Sequence, residues 1–181
     1  GQTLVVTEKA THMIDTFAMT AGVPGDVQAH ASNGMTPFGF AWSANQQLIV
    51  SEAASGSASS YSVAQGGALT SISSAVASGQ RAPCWTVVVG DTAYLTNAQT
   101  SNISAYKIAQ NGALSLLSAG IAATTGMGPT DEDATDGSDL LYVLNSREQS
   151  FSIFGIGADG ALSKKTDFAG LPATAVGVVA R

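Results

Sequence analysis

The stretch that decides the fold is Leu48-Ile49-Val50-Ser51-Glu52, because the pattern it begins returns along the whole chain. An aromatic residue lies nine positions after Glu52 and a leucine seventeen positions after it. We call the position of Glu52, at the end of this stretch, the anchor of the repeat. Its equivalents are Glu8, Asn97 and Asn145, and the four anchors are 44, 45 and 48 residues apart in sequence. The aromatic residues are Phe17, Tyr61, Tyr106 and Phe154. Features that recur in phase indicate a repeat protein.

Each repeat contains strand-length segments bounded by turn residues. In the second repeat they lie near Phe38–Trp42, Leu48–Ser51, Ser59–Val63 and Leu69–Ala75. Glycine supplies the positive φ of a tight hairpin in Gly66-Gly67-Ala68, Asn111-Gly112-Ala113 and Asp159-Gly160-Ala161, and Gly22–Asp26 takes this place in the first repeat. Four short strands in about 45 residues define one blade of a β-propeller. We therefore predict an all-β propeller with four blades of four antiparallel strands, over about 3–35, 36–80, 81–127 and 128–181.

The phase of the repeat is permuted. The chain opens on a second strand, Thr3–Thr7, and the alignment of Gly177 with Gly39 predicts a last first strand over Thr174–Ala180. One interpretation is a complete four-bladed ring, closed by this strand so that no edge is exposed. The other, which we favour, is the C-terminal part of a larger ring, with Gly1 not the native start and with further N-terminal blades as partners of these four.

Composition excludes several classes of function. Charged residues make up only 11% of the chain, and 13 acidic against 7 basic residues give a formal net charge of -6. We therefore expect neither nucleic acid nor an anionic membrane as a partner. No apolar run is long enough to span a bilayer. Abundant Ala, Gly, Ser and Thr favour a secreted or periplasmic protein, and the single Cys84 excludes an internal disulfide.

The four anchor residues allow two interpretations. As carboxylates and amides at equivalent strand ends, Glu8, Glu52, Asn97 and Asn145 could face one end of the ring, bind a polyol or polarise water. Alternatively, they accept hydrogen bonds from loop backbone amides and order the next turn. We favour the second, because a catalytic residue is usually present once. The recurring aromatic residues, and Trp42 and Trp85, are interpreted as blade core.

Three further residues are candidates for chemistry. His12 is a candidate general base, because imidazole titrates near neutrality. Arg81 precedes a first strand and could hold a carboxylate or lactone, and Arg147 is a second candidate for ligand binding. Surface ion pairs are the alternative for both arginines. The two histidines and Cys84 lack the spacing of a zinc site.

An acidic stretch interrupts the place where the fourth blade requires an apolar first strand. Alternation puts Asp131 and Asp133 on one side and Glu132 on the other. Burying unpaired carboxylates costs several kcal/mol each. We therefore expect Asp131 and Asp133 to face water in the central channel, or a cation such as Ca²⁺ or Mg²⁺, or an arginine such as Arg81. A solvated acidic loop is the alternative.

With the repeats in place, the chain resembles the lactonase-type seven-bladed propellers, which include the propeller form of 6-phosphogluconolactonase and the fungal carboxymuconate-lactonizing enzymes. The matching stretches are 4–11, 36–41, 48–53, 141–145 and 170–173. The resemblance covers the whole chain as the last four of seven blades, and the acidic stretch after Pro129 departs from it. It implies hydrolysis or formation of a lactone of a sugar acid or related carboxylic acid. The alternative is a non-catalytic secreted propeller that binds a small ligand or a protein.

Overall fold

The computed structural model describes residues 2–137 and 139–181, so Gly1, on which the prediction about the native start rests, and Ser138 lie outside it. The described chain is all-β, with sixteen strands in four antiparallel sheets. Its one helical segment is the 3₁₀ turn Ser118–Gly120. Nothing helical in these residues has the length and apolar character needed to cross a membrane.

The first two sheets contain three and four strands. The first has the order β1 (Thr3–Glu8), β2 (Met13–Thr20) and β3 (Val23–Ala31). The second has the order β4 (Pro37–Trp42), β5 (Gln47–Glu52), β6 (Ser57–Val63) and β7 (Leu69–Ala77). The strands of this second blade begin and end within about two residues of the predicted segments.

The third and fourth sheets repeat this arrangement. The third has the order β8 (Pro83–Val89), β9 (Thr92–Asn97), β10 (Asn102–Ile108) and β11 (Leu114–Leu116), and the short β12 (Ala123–Thr124) also pairs with β10. The fourth has the order β13 (Pro129–Ala134), β14 (Leu140–Asn145), β15 (Ser150–Ile156) and β16 (Leu162–Ala169).

The outer hairpins close on the predicted glycines. Gly67, Gly112 and Gly160 have φ of +99°, +86° and +79°, which residues with a Cβ rarely adopt. The turn predicted over Gly22–Asp26 in the first blade is wrong. Ala21 and Gly22, both with positive φ, complete a two-residue turn by themselves, so β3 begins at once and pairs Val23 with Thr20.

The blades pack face to face through their recurring aromatic residues. Tyr61, Tyr106 and Phe154 are buried, as predicted, and Phe17 is half-buried. The Tyr106 hydroxyl donates to the carbonyl of Val76 in the preceding blade at 2.9 Å. Since each core cluster joins two neighbouring blades, the inner strands β4, β8 and β13 lie side by side around a common channel.

The strand predicted over Thr174–Ala180 is absent, so the first sheet has three strands in this chain. The segment nevertheless runs beside β13. Its Val178 and Ala180 N–H groups donate, each at 2.8 Å, to the side chains of Asp131 and Asp133. Because these amides bind carboxylates and not strand carbonyls, no β-ladder forms.

Candidate functional site

The repeat brings equivalent residues together at one end of the channel. In three blades a proline opens the inner strand and pairs with the anchor residue that ends the second strand. The pairs are Pro37 with Glu52, Pro83 with Asn97 and Pro129 with Asn145. The residue after each proline is therefore the second residue of its inner strand, at an equivalent position near this end of the channel.

A cavity of about 480 Å³ occupies this end of the channel. It is lined by the residues that follow the three prolines, Phe38, Cys84 and Thr130, and by Val176, their equivalent in the C-terminal segment. Neighbouring members of this series are 46 residues apart in sequence. The other lining residues are Lys9, Trp85, Asp131 and Ser146. All four blades contribute to this channel cavity, and it is the site at which the whole arc could hold one small molecule.

One wall of the channel cavity is aromatic and cationic. The rings of Phe38 and Trp85 meet edge to face, with centroids 6.4 Å apart and planes at 86°. The Lys9 ammonium lies 4.5 Å from the centroid of the Phe38 ring. The assignment of the tryptophans to the blade core is wrong, because Trp85 is 41% exposed and Trp42, at the other end of β4, is 39% exposed. Both lie on inner strands beside open space.

The other wall is polar and comes from β13. The Thr130 hydroxyl oxygen is buried and has no hydrogen-bond partner among the described residues. Burial, with a smaller contribution from the neighbouring Asp133, raises the pKa of Asp131. The N–H groups of Val178 and Glu132, which hydrogen-bond its carboxylate, lower the pKa but do not cancel this effect. Burial also raises the pKa of the Cys84 thiol, an effect that the Lys9 charge reduces.

Three anchor residues are buried inside their blades and hydrogen-bonded there, although the Oδ1 atoms of Asn97 and Asn145 have no partner among the described residues. Glu52 is fully buried and accepts from the Ser32, Ser57 and Ser59 hydroxyls and the Gly34 N–H at 2.7–3.0 Å. Asn97 donates to Asn102 and Ser104, and Asn145 donates to Ser150 and Ser152. The partners recur five and seven positions after each anchor. Glu52 accepts a loop backbone amide, that of Gly34, as the turn-ordering interpretation expects, whereas the side-chain oxygens of Asn97 and Asn145 accept none; none of the three anchors lines the channel cavity.

The first blade departs from this pattern. Glu8 accepts from the Thr11 hydroxyl, and where the other blades have a serine it meets Asp15, a carboxylate. Desolvation and the nearby Glu8 charge raise the pKa of Asp15. His12 uses Nδ1 to accept the Thr36 N–H at 2.9 Å, so this ring nitrogen links the first blade to the second.

Neither candidate arginine lines the channel cavity. Arg81 is exposed and borders a separate cavity of about 320 Å³ between loops of the second and third blades. The Arg147 stem lies across Gly128, where an added Cβ would meet its Cγ at 2.6 Å. Among the described residues, salt bridges join Lys107 to Asp91 and Lys164 to Asp167, so neither arginine pairs with the acidic stretch.

The two aspartates proposed as ion ligands hold the C-terminal segment through its backbone N–H groups. Asp131 lines the channel cavity and Asp133 does not. No group of three or more His, Cys, Asp or Glu side chains in residues 2–137 and 139–181 is arranged to hold a metal ion. A Ca²⁺ or Mg²⁺ site at these residues stays a prediction.

Glu132 is the exception to the expectation that acids of this stretch face water or a cation. It points to the opposite side from Asp131 and Asp133 and is 1% exposed. Neither carboxylate oxygen has a hydrogen bond of normal geometry within the described chain, although the Thr96 N–H is near enough to lower its pKa. Burial, followed by the neighbouring aspartates, raises the pKa of Glu132 well above its ordinary value. The raised pKa favours the neutral, protonated form of the carboxyl, which costs less to bury than the charged form.

Asp131 is the one sequence-predicted site residue that the structure places in the wall of the channel cavity, counted over the described residues. Sequence reasoning missed Lys9, Phe38, Trp85 and Thr130. For Phe38 and Thr130 the signal was present, because positions 38, 84, 130 and 176 are spaced by 46 residues. Four different residue types at these positions conceal their equivalence.

Comparisons with known proteins identify the fold. No family model and no curated protein matches the chain. A Bacteroides uniformis protein described as a candidate 6-phosphogluconolactonase is 17% identical, with a TM-score of 0.81 over 96% of this chain and 53% of its own. A periplasmic gluconolactonase of Pseudomonas aeruginosa is 15% identical, with a TM-score of 0.78 over 97% of this chain and 55% of its own. An inactive variant of virginiamycin B lyase from Staphylococcus aureus is 15% identical, with a TM-score of 0.61 over 94% of this chain and 53% of its own.

The comparisons confirm the predicted all-β propeller. The chain has a propeller fold of the kind seen in lactonase-like proteins and spans about half the length of each of these three structures. Since a lyase shares the fold, the fold by itself does not define the reaction.

Proposed function

We propose that this chain is part of a lactonase-like propeller that binds a lactone, or the hydroxy acid derived from it, in the channel cavity. The observation that carries the proposal is the convergence of all four blades on one cavity with an ammonium, two aromatic rings, an unpartnered hydroxyl and a carboxylate. A few polar groups in a largely apolar cleft are typical of small-molecule sites. The gluconolactonase-type names of two structural neighbours support the same substrate class.

The residues of the cavity suit a hydrolytic step. Asp131 would take a proton from a water molecule as the water attacks the carbonyl carbon of the lactone. The Lys9 ammonium would stabilise the oxyanion that forms. Cleavage of the ring C–O bond would then release the ring oxygen, which takes the proton back from Asp131 and gives the open hydroxy acid. The raised pKa of Asp131 favours this role, because a general base works best when its pKa is near the working pH.

A binding protein without turnover is the second candidate. It is favoured by the filled hydrogen-bonding positions of Glu52 and by the composition of the cavity wall, which includes no histidine among its lining residues. A secreted or periplasmic location belongs to both candidates. It is supported by the composition of the chain and by the periplasmic gluconolactonase among the neighbours.

We further propose that additional blades cover the two ends of the arc. Leu4 and Val6 of β1 are exposed on the first blade, and an open cleft on the last blade is lined by Tyr142, Phe151, Ile153 and Phe168. Equivalent faces of the inner blades are buried against their neighbours, so apolar exposure at the two ends supports the proposal of adjoining blades.

A titration assay tests the proposed reaction. Acid release from D-glucono-1,5-lactone is followed at constant pH with and without the protein and compared with spontaneous hydrolysis. We expect catalysis that Asp131→Asn lowers about 100-fold, the usual contribution of a general base. Asp26→Asn makes the same charge change on exposed β3 and should retain the full rate. Binding without any rate above the spontaneous one would favour the binding protein. The absence of both binding and turnover would refute the proposal.

A further inference from the structure

The charges around the channel cavity define the kind of ligand more narrowly than the fold does. Lys9 is the only cationic residue among those lining the cavity in the described chain. Its ammonium already lies over the Phe38 ring, where the negative face of the ring offsets part of its charge. One ammonium suffices for one carboxylate, but a phosphate group usually has several donors from arginines, lysines or helix N-termini.

Negative charge dominates the opposite wall. Asp131 lines the cavity, and Asp133 is close enough to contribute to its raised pKa. None of the three arginines lines the channel cavity. Arg81 borders another cavity and Arg147 lies across Gly128. Arg181, next to the Ala180 amide that Asp133 binds, borders the open cleft on the last blade. The single helical turn of the described chain, Ser118–Gly120, does not reach the site.

The remaining surface suits an uncharged, hydroxyl-rich molecule. The Thr130 hydroxyl oxygen is buried without a partner, which is costly unless a ligand or water completes its hydrogen bonding. The Phe38 and Trp85 rings provide a flat apolar surface on the other side. A polyol chain can present a hydroxyl group to Thr130 and C–H groups to the two aromatic rings.

We infer that the channel cavity accepts a sugar acid or its lactone with at most one negative charge and discriminates against the phosphorylated form. The inference rests on the proposed function and narrows it to unphosphorylated substrates. At neutral pH a phosphate monoester adds 1.5 to 2 negative charges, and like charges a few ångströms apart repel strongly in a partly dry site.

Calorimetric titration of the 181-residue chain with two stable probes tests this inference. D-gluconate carries one negative charge, and 6-phospho-D-gluconate is the same molecule with a phosphate. We expect gluconate to bind at least about tenfold more tightly. Asp131→Asn should bind the phosphorylated probe better and so reduce the ratio of the dissociation constants of 6-phosphogluconate and gluconate. Asp26→Asn, which makes the same charge change on exposed β3, should leave this ratio unchanged.

Salt provides a second test that needs no variant. Screening shortens the reach of the acidic wall, so the ratio should fall towards one as NaCl approaches about 1 M. Equal or tighter binding of 6-phosphogluconate at low salt would overturn the inference while leaving the proposed function in place. Failure of both probes to bind would overturn the proposed function itself.

Discussion

The carboxylate of Asp131 accepts a hydrogen bond from the backbone N–H of Val178 at 2.8 Å, across 47 positions of sequence. Two residues further along each segment, Asp133 and Ala180 repeat the contact at the same distance. A strand pair usually joins through backbone carbonyls, but here aspartate side chains accept the hydrogen bonds. Asp131 and Asp133 therefore hold the C-terminal segment beside the channel through two side-chain-to-backbone hydrogen bonds.

This side-chain clamp predicts the protection of two amides. Replacing Asp131 and Asp133 together by alanine removes both acceptors, so the N–H groups of Val178 and Ala180 should exchange with deuterium about tenfold faster or more. Hydrogen exchange resolved by NMR measures this. Asp136→Ala removes an exposed acid of the same stretch and serves as the control. Unchanged protection in the double variant would show that other contacts hold the segment.

Calcium distinguishes the clamp from the ion hypothesis for the same carboxylates. Backbone N–H groups satisfy the clamp without a cation, so the clamp alone predicts that Ca²⁺ leaves the Tm of the wild type unchanged, whereas the ion hypothesis predicts a rise. Thermal unfolding with and without CaCl₂ measures this. A rise in Tm that Asp131→Asn, Asp133→Asn abolishes would instead establish these residues as ion ligands.

The buried carboxylate of Glu52 predicts a loss of stability. It accepts four hydrogen bonds, two of them from Ser32 and Gly34 in the loop that leads to the second blade. Truncation leaves those donors unsatisfied, so Glu52→Ala should lower the free energy of unfolding by about 3–5 kcal/mol in urea. Glu8→Ala, at the equivalent but less buried position, should cost under about 1 kcal/mol. Similar small losses for both variants would contradict the structural role of Glu52.

Glu132 predicts a pH dependence of stability. Its folded pKa lies well above the ordinary value of 4.5, so its contribution is fully present below about pH 4.5, where folded and unfolded chains are both protonated. As the pH rises towards the folded pKa, the unfolded chain loses the proton first, and stability falls by about 1.4 kcal/mol per pH unit. This term should vanish in Glu132→Gln.

Urea unfolding of wild type and Glu132→Gln between pH 4 and pH 8 measures the effect. The variant should gain on the wild type as the pH rises, whereas Asp136→Asn, an exposed acid in the same stretch, should follow the wild type throughout. Parallel curves for Glu132→Gln and wild type would mean that Glu132 ionises normally in the folded chain.

Spacing predicted the blades because each feature has a local cause. The glycines of the outer hairpins are needed for positive φ, and Tyr61, Tyr106 and Phe154 recur because each fills the same gap between neighbouring blades. These constraints repeat with the sequence and can be found without coordinates.

The channel cavity could not be found in the same way. On an inner strand, burial does not follow a regular alternation, since Pro83 and Thr86 of β8 are buried while Trp85 between them is exposed. Sequence alternation therefore does not separate channel residues from core residues. Trp85 therefore had the appearance of core, although it lines the cavity. Glu132 had the appearance of a solvated acid, because a change of protonation state leaves no mark in sequence.

Tryptophan fluorescence tests the central claim, that the channel cavity binds a sugar-acid ligand. The chain has two tryptophans, and Trp42→Phe leaves Trp85 as the only reporter, inside the cavity. Trp85→Phe leaves Trp42, which borders a separate cavity at the other end of β4. Titration with D-gluconate should produce a saturable change in emission from the Trp85 reporter and none from the Trp42 reporter. No change from Trp85, or equal changes from both reporters, would contradict the account.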